Sequence, residues 1–132
     1  MKKITGLALV AVGLLHSLIA LVTPGLIGFS DIWTEILDAR VIDAVNPESL
    51  RILGYYWFLI AGFLSILYGF LCYWVEHQLS LQLPPFAGWG LLTIASFGIV
   101  LDLDTGLWAV LLIAINAIVA SHRSQQSNQK TN

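Results

Sequence analysis

The chain has 132 residues, 58% of them hydrophobic and only 11% charged, and a net charge of −2. A soluble domain carries about 25% charged residues, so this chain lacks the polar coat of a water-soluble globule, and its mean hydropathy of +0.82 agrees. No basic stripe is present, which argues against a nucleic-acid partner, and the single cysteine, Cys72, rules out an intrachain disulfide.

Met1-Lys2-Lys3 ahead of an apolar run resembles a signal peptide. Residues 4–22, however, exceed the usual apolar stretch of about 7–15 residues, and no small-residue cleavage site follows. The run is read as a retained first span, stopped by Thr23-Pro24-Gly25. Gly6, Gly13, Ser17 and Ala20 share one face of it, the kind of small-residue face on which helices associate in lipid. His16 lies beside that face.

Residues 24–51 form a loop with a short helix over about 31–45, capped by Ser30 or Asp31. Ile32, Trp33, Ile36, Leu37 and Val41 fall on one side at amphipathic spacing. Glu35 and Asp38 face away, and Arg40 and Asp43 interrupt the apolar side. This segment is too short and too charged to span, and is expected to lie at the interface with Trp33 at headgroup level. A functional lid is the alternative.

Asn46-Pro47-Glu48 opens the second span, with Arg51 one turn after Glu48 as an i, i+3 partner. Residues 52–74 carry no formal charge and are long enough for a bilayer core of ~30 Å. Ala61, Ser65 and Gly69 give the second span its own small-residue face. Pro84-Pro85 precedes a third span at 86–101. A turn at 101–104, with Asp104 as N-cap, leads to a fourth at 105–120. Residues 121–132 are rich in Ser, Gln and Asn and are expected to be a disordered tail.

The expected fold is therefore an all-α membrane protein. It is a single up-down bundle of four transmembrane helices, residues 1–120, with an amphipathic interfacial helix between the first two spans. Lys2, Lys3, Arg123 and Lys130 flank one side and Arg40 and Arg51 the other, so the positive-inside rule places both termini in the cytoplasm. The lipid bilayer is the expected partner, and the small-residue faces allow self-association. The membrane would be the plasma membrane.

His16 is the foremost candidate for chemistry, because an ionisable group at membrane depth is functional by default. Helix register sets it level with residues 57–60 and with Ser96, with Tyr56 and Asp102 about a turn further out. A cluster of His16, Tyr56, Trp57, Ser96 and Asp102 opening outward would bind a small polar ligand or relay a proton. The alternative is a neutral histidine bonded to Ser96 or to a backbone carbonyl. Asp102 and Asp104 read as a helix cap, since two carboxylates alone make no Ca²⁺ site. Glu76 and His77 mark either the wet end of the second span or a proton entry. Asn116 reads as interhelical glue near the depth of Thr93, and Cys72 as apolar filler. No nucleophile–base pair, CxxC, HExxH or phosphate loop is present, so no cofactor or metal is expected.

Several of these elements, in order, resemble a family of small bacterial membrane proteins classed as a domain of unknown function. They are Gly13-Leu14-Leu15-His16, Arg51 before Tyr56-Trp57-Phe58, Gly62 and Gly69, Trp74 and Glu76, Leu83-Pro84, Gly88-Trp89 with Leu91-Leu92, Gly98, and Thr105-Gly106-Leu107-Trp108. The family usually has Pro where this chain has Asp102 and Phe where it has Leu107. The resemblance implies a four-helix membrane fold over about residues 4–118 and no particular activity. The function expected is that of a non-enzymatic accessory or small-ligand-binding bundle. The alternative is a small enzyme or proton-linked carrier using His16.

Overall fold

The computed structural model describes residues 4–41, 45 and 49–129, and among these every regular element is helical. Helix α1 spans Thr5–Val22. It ends where Thr23 takes both its amide and its hydroxyl back to the Ile19 carbonyl, at 2.9 and 3.2 Å. Pro24 then starts a single 3₁₀ turn, Pro24–Ile27, closed by Gly28 at φ 83°. That left-handed angle suits a residue without Cβ.

Helix α2, Ile32–Asp38, is shorter than the expected 31–45. Asp31 (φ 60°) and Arg40 (φ 62°) hold left-handed backbone at either end, and such residues cannot continue a right-handed helix. Asp31 occupies the N-cap position, but its side chain makes no capping bond. The proposed opening at Asn46-Pro47-Glu48 lies outside the described residues.

Helix α3 spans Leu50–Tyr73 and runs on into a wider π-type turn, Trp74–Gln78. Helix α4, Pro85–Leu101, starts with Pro at its first position, where the missing N–H costs nothing. It stops at Asp102, whose backbone is extended. Asp102 Oδ1 accepts the Asp104 amide at 3.1 Å in a local turn. Asp104 is too early in the chain to cap the next helix, which starts at Leu107; Thr105 Oγ1 accepts the Leu107 amide instead, at 3.4 Å. Helix α5, Leu107–Gln129, begins there. It passes the expected end at Ala120, because no Gly or Pro follows to stop it.

Among the described residues, two stretches are long and apolar enough to cross a membrane, Thr5–Val22 and the 29-residue Leu50–Gln78. The apolar parts of α4 and α5, Pro85–Leu101 and Leu107–Arg123, are shorter than that criterion requires. At 1.5 Å per residue, a 17-residue helix is ~25 Å long.

The helices pair as two hairpins. α1 runs antiparallel to α3, α4 lies along α5, and α1 touches α5. One core cluster, Leu9, Cys72, Leu83, Leu91, Ala95, Val110 and Ala114, joins the two hairpins. A second, Ala20, Ile32, Ile36, Ile52 and Tyr55, seats α2 against the end of the first hairpin. Only Ile32 and Ile36 of the α2 stripe are buried, while Trp33, Leu37 and Val41 remain exposed.

Candidate functional site

The α1–α3 seam follows a seven-residue rhythm. On α1, Gly6, Gly13 and Ala20 are buried. Facing them on α3 are Tyr55, Gly62 and Gly69, also buried. A Cβ on Gly6 would overlap the backbone of Tyr73, and one on Gly13 would come within 2.9 Å of the Ile66 amide. The two backbones thus approach more closely than side chains permit, as small residues allow in membrane helix pairs. A repeat of seven on both helices keeps the seam in register at a shallow crossing angle.

This rhythm corrects the expected face of the second span. Gly6, Gly13, Ser17 and Ala20 do form the α1 face. On α3, Ala61 is exposed and Ser65 is half-buried, its hydroxyl bonded back to the Ala61 carbonyl at 2.8 Å. Gly62 takes their place. The four-residue spacing suggested from sequence drifts around the helix, whereas the seven-residue spacing stays on the contact line.

Both ends of the seam carry a polar group suited to the end of α1 that it meets. Tyr55 is fully buried, and its hydroxyl donates to the Ala20 carbonyl at 3.0 Å, near the carbonyl-rich C-terminus of α1. Glu76 is only 5% exposed, and its Oε2 accepts the Gly6 amide at 3.0 Å, at the amide-rich N-terminus. Helix ends leave such groups without intrahelical partners and carry partial charges of matching sign. Glu76 is therefore not the wet end of α3. The wide turn at Trp74–Gln78 brings it back over the seam, while His77 stacks on Tyr73 at 4.5 Å.

His16 sits midway along the Tyr55 half of the seam. Its Nε2 lies 2.9 Å from the Phe58 carbonyl oxygen. A carbonyl only accepts, so Nε2 carries the proton. The imidazole also stacks on the Phe58 ring, with centroids 3.9 Å apart and planes at 16°. Ser17 is buried beside it with an unpartnered hydroxyl. Its Oγ and the His16 ring converge on the space that a Gly62 side chain would fill. Phe29, Tyr55 and Trp33 continue the aromatic contacts from Phe58 to α2.

The expected cluster around His16 thus meets a backbone carbonyl instead. Its level was correct, since Phe58 falls within residues 57–60. Tyr56 is half-buried, 6.5 Å from Tyr55 between ring centroids. Trp57, Ser96 and Asp102 are exposed, and Asp102 is engaged with Asp104. Thr93 bonds the Trp89 carbonyl at 3.0 Å. Asn116 lines an apolar groove of about 220 Å³ with Ile4, Thr5, Ala8, Leu112 and Ile113, between α1 and α5. Cys72 is a free thiol in the shared core. No metal-binding group of three or more His, Cys, Asp or Glu occurs among the described residues.

Arg51 fastens α2 to the start of α3. Its guanidinium pairs with Glu35 and donates to the Ser30 carbonyl. Glu35 is therefore half-buried and turned to Arg51 rather than away from the bundle.

Tyr55, Phe58 and Gly62 were not singled out as site residues from the sequence, and Glu76 was read only as the wet end of the second span or a proton entry. The seven-residue recurrence Tyr55, Gly62, Gly69, Glu76 opposite Gly6, Gly13, Ala20 was the signal for three of them. Phe58 gave no signal, because its carbonyl is the contact.

A family model described as a family of unknown function (DUF6463) matches residues 1–124. No curated protein and no solved structure matches the chain.

Proposed function

The chain belongs to that family of unknown function, and from that premise we propose that it is a non-enzymatic integral membrane protein, an accessory or small-ligand-binding bundle. Its α1, α3, α4 and α5 cross the bilayer as one domain with both termini cytoplasmic. The observation that carries this reading is the apolar surface left outside the packed seams. Leu14, Leu18, Phe63, Leu67, Phe70, Ile94, Phe97, Val100 and Leu112 are all exposed. Only 17% of the apolar window in Leu50–Gln78 is buried. Water would penalise each exposed Leu or Phe by about 1.5–3 kcal/mol relative to burial, and lipid removes that penalty. α4 and α5 are short for a span, and local bilayer thinning or their flanking residues accommodate the difference. α2 then rests at the interface, with Trp33 and Leu37 in the headgroup layer.

The non-enzymatic reading rests on His16. Its ring face and Nε2 are both committed to Phe58, which makes it a tie across the seam. The competing reading, an enzyme or proton-linked carrier, needs His16, Tyr56 and Asp102 at one point, and Asp102 is engaged elsewhere.

Two measurements test the proposal. The protein should stay with membranes through an alkaline wash, and tags at both termini should resist an impermeant reagent applied from outside. Monodisperse recovery without detergent, or termini labelled from opposite faces, refutes it. Loss of a pH-dependent transport or turnover activity in His16→Ala would favour the carrier.

A further inference from the structure

We propose that Glu76 is a proton-operated latch. Ionised, it locks the first turn of α1 onto the end of α3; protonated, it lets that turn go and opens the adjoining end of the seam. Glu76 is the one buried acidic side chain among the described residues, since Asp31, Asp38, Asp102 and Asp104 are exposed and Glu35 is half-buried.

The start of α1 presents amide donors. Ile4 stands at the N-cap with no side-chain capping bond, and the helical ladder begins only at the Ala8 amide. The Glu76 carboxylate, bonded to the Gly6 amide, fills that role from α3. A carboxylate suits this position because it only accepts hydrogen bonds and is attracted to the positive helix end. A carboxylic acid does not suit it. It loses the attraction and brings a proton into a site where the adjoining backbone groups are themselves donors. Protonation therefore turns a match into a mismatch at one defined contact.

The element that carries Glu76 departs from ordinary α-helical geometry. Glu76 sits in the wide turn Trp74–Gln78, held by Leu79 to the Trp74 carbonyl at 3.2 Å and by Leu81 to the Val75 carbonyl at 3.1 Å. Ser80 follows with φ 54°. Such single wide turns recur at functional positions in helices.

The neighbouring titratable groups are few. Cys72 lies one turn earlier on α3, and Tyr68 one turn before that. His77 adjoins on the turn itself, stacked on Tyr73. On α1 the adjoining Thr5 and Gly6 do not titrate, and Lys2 and Lys3 lie outside the described residues. α4 has no titratable residue, and α5 carries His122 and Arg123 late in its course.

The test is hydrogen–deuterium exchange of the backbone amides of residues 6–10 on the full chain in phosphatidylcholine vesicles, from about pH 7 to about pH 3, a range that brackets an ordinary glutamate at ~4.3. Each rate is divided by that of the denatured chain at the same pH, which cancels the intrinsic pH dependence of exchange. In the wild type, protection should fall about ten-fold towards low pH, as expected for loss of a partly buried charge–helix contact. Glu76→Gln keeps an accepting oxygen but cannot ionise, so its protection should not change with pH. Glu76→Ala should be poorly protected throughout. A flat wild-type profile overturns the proposal whatever the variants do. So does a Glu76→Gln profile that falls like the wild type, which would assign the effect to His77.

Discussion

Replacing Gly69 with Ala tests the α1–α3 seam most directly. A Cβ at this position would lie 2.6 Å from the Val10 amide nitrogen, 2.8 Å from Val10 Cγ2 and 3.0 Å from the Gly6 carbonyl oxygen. Ordinary contact begins at 3.4 Å, so the helices must separate by about 0.8 Å at a point where backbone meets backbone. The obstacle cannot swing aside as a flexible side chain would. Overpacking of this kind costs ~1–3 kcal/mol. Alanine offsets ~1 kcal/mol of that through its better helix propensity, so Gly69→Ala should destabilise the fold by up to ~2 kcal/mol. Gly90 provides the control. It is also helical, but a Cβ there meets nothing within 4 Å. Gly90→Ala should stabilise by up to ~1 kcal/mol. Reversible unfolding in mixed micelles, with helicity followed as denaturing detergent is added, measures both. If the two variants shift stability in the same direction, the close seam is not what holds α1 to α3.

Two further outcomes follow from the ends of that seam. Tyr55→Phe removes the donor to the Ala20 carbonyl while keeping the ring, and should cost ~0.5–1.5 kcal/mol by the same unfolding measurement; no loss would mean that the carbonyl finds another donor. Arg51→Met breaks the exposed ties to Glu35 and Ser30, worth ~0–1 kcal/mol. Its effect should therefore be local, with faster proteolysis in residues 24–41 and nearly unchanged global stability. A global loss of several kcal/mol would show that α2 is integral to the hairpin.

The sequence by itself determined that the chain is helical and apolar, where α1 and α3 lie, and which small residues of α1 meet a neighbour. Those properties are local: composition, run length and the stops at Pro24 and Pro84-Pro85 act on consecutive residues. The level of His16 was also legible, since rise per residue is fixed along a helix. Tertiary structure decided the rest. Whether the α3 contact line follows Ala61, Ser65 and Gly69 or Tyr55, Gly62 and Gly69 depends on how two helices cross, and no single helix contains that angle. His16 finds a main-chain oxygen of Phe58, which a pattern of side chains cannot announce. Glu76 reads as a polar residue at the end of an apolar run. Only the return of α3 past the start of α1, in a turn one residue wider than an α-helix, buries its carboxylate against a helix end that lacks a cap of its own.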